Sequence, residues 1–159
     1  MTWHLRRATP DDLDPLMALE LAVYPDDPWS RDTMAAELAG PHGYYLVAIR
    51  DADPAEIVAY AGLLAPLGTG QGDIQTVTVA PGARRQGLAR TLMRQLINEA
   101  RRRGAEELFL EVRHDNEGAQ ALYAELGFET VGVRKRYYRG GIDALSMRLL
   151  VPAAQAGPA

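Results

Sequence analysis

Val77-Thr-Val-Ala-Pro-Gly-Ala-Arg-Arg-Gln-Gly-Leu-Ala-Arg90 is the stretch on which the fold turns. It starts as the end of a β-rich run, Asp73 to Val79, and is stopped by Pro81 and Gly82. It then opens a helix in which Leu88, Leu92, Leu96 and Ala100 recur every four residues, with Met93 and Ile97 beside them, as one apolar stripe. Three arginines and Gly104 close that helix. Leu108 to Val112 follows as a strand, so strand, helix and strand imply a parallel crossover. The junction itself suits an anion. The first N–H groups of a helix have no intrahelical partner and carry the positive end of its dipole, Gly87 lets the backbone approach closely, and Arg84, Arg85 and Arg90 add charge. A merely well-capped helix start with solvated arginines would read the same way. The loop is neither a P-loop, for want of Gly-Lys-Ser/Thr, nor a dinucleotide fingerprint, for want of the glycine triplet.

Working outward, Trp3 to Arg7 reads as a short strand. Thr9, Pro10 and Asp12 start a helix that runs to about Leu21. The loop Tyr24-Pro-Asp-Asp-Pro-Trp29 exposes an aromatic before Ser30 caps a second helix closed by Gly40. Tyr44 to Arg50 and Ile57 to Leu64 form a hairpin around Asp-Ala-Asp-Pro. Downstream, Asn116 caps a helix from about Glu117 to Leu126, stopped at Gly127. Two strands, roughly Glu129 to Tyr138 and Ala144 to Leu150, end the fold. The expected order is βααβββαβαββ in an α/β (α+β) protein with a mixed sheet. One domain over residues 1–151 suits the 159-residue length, with a fraying tail over 152–159.

Apolar residues make up 47% and charged ones 24% of the chain, an ordinary globular composition. There is no cysteine, and His4, His42 and His114 show no ligand spacing, so thiolate catalysis is excluded and no metal is expected. No segment has the roughly 18 apolar residues of a membrane span, and a cytoplasmic address is expected. The net charge of −4 is uneven: residues 1–60 hold 11 Asp/Glu against 4 Arg, whereas residues 61–159 hold 13 Lys/Arg against 10 acids. This pattern fits two solvated surfaces, and equally a basic half for phosphates with an acidic half for a cationic substrate.

Strand alternation puts Glu111 on one face with Phe109 and Arg113, opposite Leu108, Leu110 and Val112. A structural glutamate would look the same. Tyr123 lies seven residues beyond Asn116, two helical turns along nearly the same face, where a core tyrosine beside Leu122 and Leu126 is the simplest reading. Arg134-Lys-Arg-Tyr-Tyr-Arg139 has the look of a nucleic-acid patch, but the acidic chain and the strand pattern favour an edge strand guarded by charge.

Arg84-Arg-Gln-Gly-Leu-Ala89 resembles the GNAT motif Q/R-x-x-G-x-G/A, with Ala89 where glycine is commoner. Leu110-Glu-Val-Arg-His-Asp-Asn-Glu-Gly-Ala-Gln-Ala-Leu-Tyr-Ala-Glu-Leu-Gly-Phe128, Arg136-Tyr-Tyr138 and Asp143-Ala144 are similar to RimI-type alanine acetyltransferases of that superfamily. The resemblance covers most of the chain and is specific from residue 74 on; before that, Asp27-Pro-Trp29 is its only trace. It implies a sheet splayed at two central parallel strands, with acetyl-CoA in the gap. It implies that Arg84, Arg85, Gln86, Gly87, Leu88, Ala89 and Arg90 cradle the pyrophosphate, that main-chain groups of Val77, Thr78 and Val79 line the pantetheine, and that Asn116 binds the CoA arm. By the same likeness Glu111 is the general base and Tyr123 the proton donor to the departing thiolate. The resemblance also implies that Tyr137 and Tyr138 line the peptide entrance, for which Trp29, on its Pro-rich loop, is the candidate opposite wall. The implied activity is acetylation of the N-terminal alanine of a basic small-subunit ribosomal protein by a monomer or weak oligomer, without direct nucleic acid or membrane contact. Acetylation of a lysine side chain or small amine is the nearest alternative, since the CoA apparatus would be identical. A CoA-binding sensor without turnover and a nucleic-acid-binding module using the basic final strands are the others.

Overall fold

A computed structural model describes residues 3–152. Apart from Pro152, whose carbonyl accepts a hydrogen bond from Arg101 Nε at 2.7 Å, the expected tail lies outside the described residues. The elements are Trp3–Arg7 (β1), Leu13–Val23 (α1), Arg31–Ala39 (α2), Gly43–Arg50 (β2), Asp53–Leu64 (β3), Gln71–Val79 (β4), Leu88–Arg102 (α3), Glu107–Arg113 (β5), Glu117–Glu125 (α4), Glu129–Tyr138 (β6) and Ile142–Leu150 (β7). The order is the βααβββαβαββ of the sequence, and no helix among the described residues is long and apolar enough to cross a membrane. The chain forms two compact units. One takes the described residues up to Leu64 and Gln75–Leu96; the other takes Ala65–Ile74 and the described residues from Ile97 on. β4 and α3 each run from one unit into the other.

In the first unit the strands are ordered β1-β2-β3-β4, with β1 antiparallel to β2 and β2 to β3. The α1 start differs in detail from the sequence reading. Pro10–Asp12 form a single 3-10 turn, and the Asp12 carboxylate reaches back to the Thr9 N–H at 2.8 Å while accepting from both Arg6 terminal nitrogens. The Arg6 bonds are the chief reason that the Asp12 carboxyl lies below the usual carboxylate range. α2 is capped as expected, the Ser30 hydroxyl accepting the Thr33 N–H at 3.1 Å. Leu16, Met17 and Leu19 of α1, Met34 of α2 and Tyr45, Val47, Ile49 and Tyr60 of the sheet share one core. Each buried side chain of this kind contributes about 1.5–3 kcal/mol.

One backbone approach shapes this core. Gly62 faces Tyr45 across β2 and β3, and a Cβ at Gly62 would sit 2.2 Å from the Tyr45 ring, so only glycine lets that ring lie flat on the sheet. Tyr45 in turn meets the Trp29 ring edge-on, with centroids 6.4 Å apart.

In the second unit the order is β4-β5-β7-β6, and the parallel pairing of β4 with β5 covers Gln71–Asp73 against Glu107–Phe109. This pairing explains why β4 begins two residues before the expected Asp73: Gln71 and Gly72 carry no strand signal of their own. β5 alternates half-buried and buried from Glu107 to Arg113, as its pattern predicts. β7 begins at Ile142 rather than Ala144, since Ile142 pairs with Tyr138 across a turn in which Gly140 and Gly141 take positive φ of 81° and 76°. β6 is the terminal strand of the order and largely exposed, which agrees with the edge-strand reading of its basic residues.

Candidate active site

The basic loop lies in the first unit. After β4, Pro81–Ala83 make one 3-10 turn, Arg84 to Gly87 are exposed, and Leu88 enters the core. Arg85 and Gly87 have positive φ, 64° and 78°. For Gly87 that conformation carries no steric cost, and the space where a Cβ would stand is open. The Arg84 Nε donates to the Val79 carbonyl at 3.2 Å, tying the loop to the strand it leaves. The Gly87 carbonyl accepts from the Thr91 N–H and hydroxyl, both at 3.0 Å, so the first turn of α3 is pinned at its N-terminus. Exposed backbone, helix dipole and arginines together fit a diphosphate. Ala89 and Arg90 are half-buried, and the Leu88 side chain is core, which leaves Leu88 only main-chain atoms for a ligand.

Val77 and Val79 are half-buried. Thr78 is 1% exposed, its hydroxyl 3.4 Å from the Tyr24 hydroxyl and 3.2 Å from that of Thr76. The Thr78 side chain therefore belongs to the core. Trp29 departs from the expectation of an exposed loop aromatic: its ring is half-buried against the first unit's core and against Tyr45. The cause is Glu20. This carboxylate is 2% exposed, accepts the Trp29 backbone N–H at 2.8 Å and accepts the Tyr60 hydroxyl on its other oxygen. Burial first, and Glu20 second, push the Tyr60 hydroxyl far above its ordinary range, so it stays a donor.

The second unit holds Glu111, Asn116, Tyr123, Tyr137 and Tyr138. Glu111, half-buried at the position the alternation assigns, faces Ser146 across β5 and β7 and accepts its hydroxyl at 2.5 Å on Oε2. The other oxygen, Oε1, stands 3.3 Å from Arg134 Nε. Asp73 is a neighbour that sequence reasoning passed over: its carboxyl lies above the usual range, through burial first and the charge of Glu111 second, with Arg134 opposing. Asn116 caps α4, its Oδ1 accepting the Ala119 N–H at 3.1 Å, so its amide NH2 is the group left to offer a ligand. Tyr123 is buried and tilted against Phe128 at 6.0 Å, the core position that packing alone would give it. Tyr137 and Tyr138 meet edge-on at 5.0 Å, with Arg134 over the first ring and Arg113 over the second, each at 5.6 Å. Lys135 and the Arg136 N–H both engage Asp143, at 3.3 Å and 2.9 Å. The basic run thus spends cations on carboxylates of its own unit, which weakens its likeness to a phosphate-tracking surface.

Residues 13–128 match the model of the acetyltransferase (GNAT) family. The chain belongs to that family. As a GNAT protein it is an acetyl-CoA-dependent N-acetyltransferase, and the mixed sheet order is the family's fold. Among its relatives, the N-alpha-acetyltransferase RimI of Mycobacterium tuberculosis is 40% identical over 126 residues, which cover 77% of this chain and 76% of that protein. A putative [ribosomal protein bS18]-alanine N-acetyltransferase of Bacillus subtilis is 33% identical over 139 residues, 86% of this chain and 88% of the relative. The crystal structure of the ribosomal-protein-S18-alanine N-acetyltransferase from Escherichia coli superposes with a TM-score of 0.84 at 28% identity, covering 99% of both chains.

Proposed function

We propose that this GNAT protein transfers an acetyl group from acetyl-CoA to the α-amine of an N-terminal alanine on a small-subunit ribosomal protein in the cytoplasm. The observation that carries this reading is the similarity over nearly the whole chain to enzymes named for that reaction, in sequence at 33% and in structure at a TM-score of 0.84. The continuity of β4 and α3 through both compact units supports a single domain over 1–151.

Acetyl-CoA supplies the acetyl thioester, and the chain's residues handle phosphates and protons. Arg84 to Arg90 bind the pyrophosphate, Val77 to Val79 offer main-chain groups to the pantetheine, and Asn116 offers its amide NH2 to the CoA arm. Glu111 accepts a proton from the attacking amine as the new N–C bond forms. The Tyr123 hydroxyl gives a proton to the sulfur as the C–S bond breaks, and no covalent enzyme intermediate is needed. An α-amine suits a carboxylate base, because its pKa of about 7.7–8.0 leaves it partly neutral near pH 7, whereas a lysine amine sits near 10.4. That gap of roughly 2–3 units costs a lysine some 3–4 kcal/mol before attack. Tyr137, Tyr138 and Trp29 are the residues assigned to the peptide.

The test gives the protein acetyl-CoA with either a basic peptide beginning with alanine or an α-blocked lysine peptide, and reads acetylation by mass spectrometry. Faster modification of the alanine α-amine is expected. Preferential lysine acetylation would overturn the substrate while leaving the family chemistry intact.

A further inference from the structure

Glu111 does not stand alone in its unit. The β4–β5 register puts Asp73 opposite Phe109, and Glu111 follows two residues on along the same face. Two carboxylates are therefore neighbours, and Arg134 counters both: its Nε is 3.3 Å from Glu111 Oε1, and its charge opposes the rise in the proton affinity of Asp73. The guanidinium also lies over the Tyr137 ring at 5.6 Å. In a regular strand residues three apart point to opposite faces, so this contact needs the irregularity of β6. The pairing with β7 slips between Arg134 and Tyr138, Arg136 takes a φ of 54°, and its N–H is held by Asp143 at 2.9 Å. The bulge brings the Glu111 counter-ion and the aromatic wall to one side.

We propose that Arg134 is a positioning residue for the acceptor amine, which with Asp73 sets the charge that Glu111 presents to it. The inference rests on Glu111 being the base. With both carboxylates ionised, the three groups carry a net charge of −1, which a single α-ammonium neutralises. Without Arg134 the charge would be −2. The ammonium form would then bind more tightly and release its proton less readily, so affinity would rise as reactivity fell. Arg134 accordingly favours an amine that loses its proton easily over one that binds strongly as a cation.

The experiment measures kcat and KM for a synthetic peptide beginning with alanine, with acetyl-CoA saturating. R134Q should lower the peptide KM and lower kcat, each by about 5-fold, the scale of one partly exposed charge pair. D73N should move KM the other way. The double variant D73N/R134Q, which restores a net −1, should return both constants toward wild type, and R134K should stay within about twofold of it. The Arg134 side chain is 60% exposed, so R134Q should melt with the wild type. Should R134Q not fold, D73N and R134K still carry the test. A peptide KM that rises in R134Q, or constants in D73N/R134Q that show no compensation, would overturn the proposal. E111Q separates the two readings: wild-type turnover in that variant removes the base, whereas its loss together with an indifferent R134Q removes only the role of Arg134.

Discussion

Glu20 and Glu111 are the same residue type in two different situations. Glu20, in the first unit, is 2% exposed and has one oxygen bonded by the Trp29 N–H and the other by the Tyr60 hydroxyl. Glu111, in the second, has a side chain 22% exposed, one short bond from Ser146 and one loose ion pair with a solvent-facing arginine. A buried carboxylate with both oxygens bonded is a structural part, because ligands do not reach it and losing either bond would leave a buried polar group unpaired. A half-exposed carboxylate whose second partner can leave is free to do chemistry. Burial and satisfaction, more than residue identity, separate the two roles.

The largest expected effect tests that separation directly. E111Q keeps the shape and the Ser146 contact but removes the basic oxygen, and turnover should fall about 10³-fold with no change in the denaturation midpoint. Turnover near wild type in a steady-state assay would erase the distinction drawn for Glu111. E20A should do the reverse. Leaving a buried N–H and a buried hydroxyl without their acceptor should cost about 3 kcal/mol, read as a shifted urea midpoint at unchanged slope. Since Glu20 holds the Trp29 backbone, the peptide KM should also rise while that of acetyl-CoA stays. A stable E20A would mean that water replaces the carboxylate.

Y123F comes next. It preserves the packing on Phe128 and deletes one proton, so turnover should drop about 10²-fold with acetyl-CoA affinity little changed. An undiminished rate would return Tyr123 to the core role its burial also fits. The smallest effect concerns the loop. Acetyl-CoA at 100 times its Kd should stabilise the wild type by about 2.7 kcal/mol, and Gly87→Glu, which puts a negative side chain at a positive φ in the pyrophosphate cradle, should weaken binding at least tenfold. Calorimetry checks the affinity, and an unchanged Kd would place the phosphates elsewhere.

Much of this is legible in the sequence alone. The four-residue period of Leu88, Leu92, Leu96 and Ala100, the alternation through β5 and the caps at Ser30 and Asn116 depend on neighbours within a few residues, and the structure repeats them. Asp53 to Glu56 extend β3 ahead of the expected Ile57 although they are exposed: Asp53 pairs with Arg50 and Ile57 with Ile49, so the register shifts across Pro54 to Glu56, an irregularity that no apolar pattern announces. Trp29 read as an exposed loop aromatic, since nothing local announces that a glutamate nine residues earlier is buried and turned toward its N–H.

Along the chain, then, the sequence by itself determined the order of elements, the basic loop at a helix start and the face on which Glu111 stands, which follow from the 2.0 and 3.6 residue periods and from turn chemistry, while the family was legible through the resemblance of its motifs. Only the tertiary structure decided who meets Glu111. Ser146 lies 35 positions away, Arg134 reaches it from an edge strand, and Asp73 arrives through a parallel pairing three residues long. Those meetings depend on strand register and on one bulge, which many distant residues set together and no short stretch encodes.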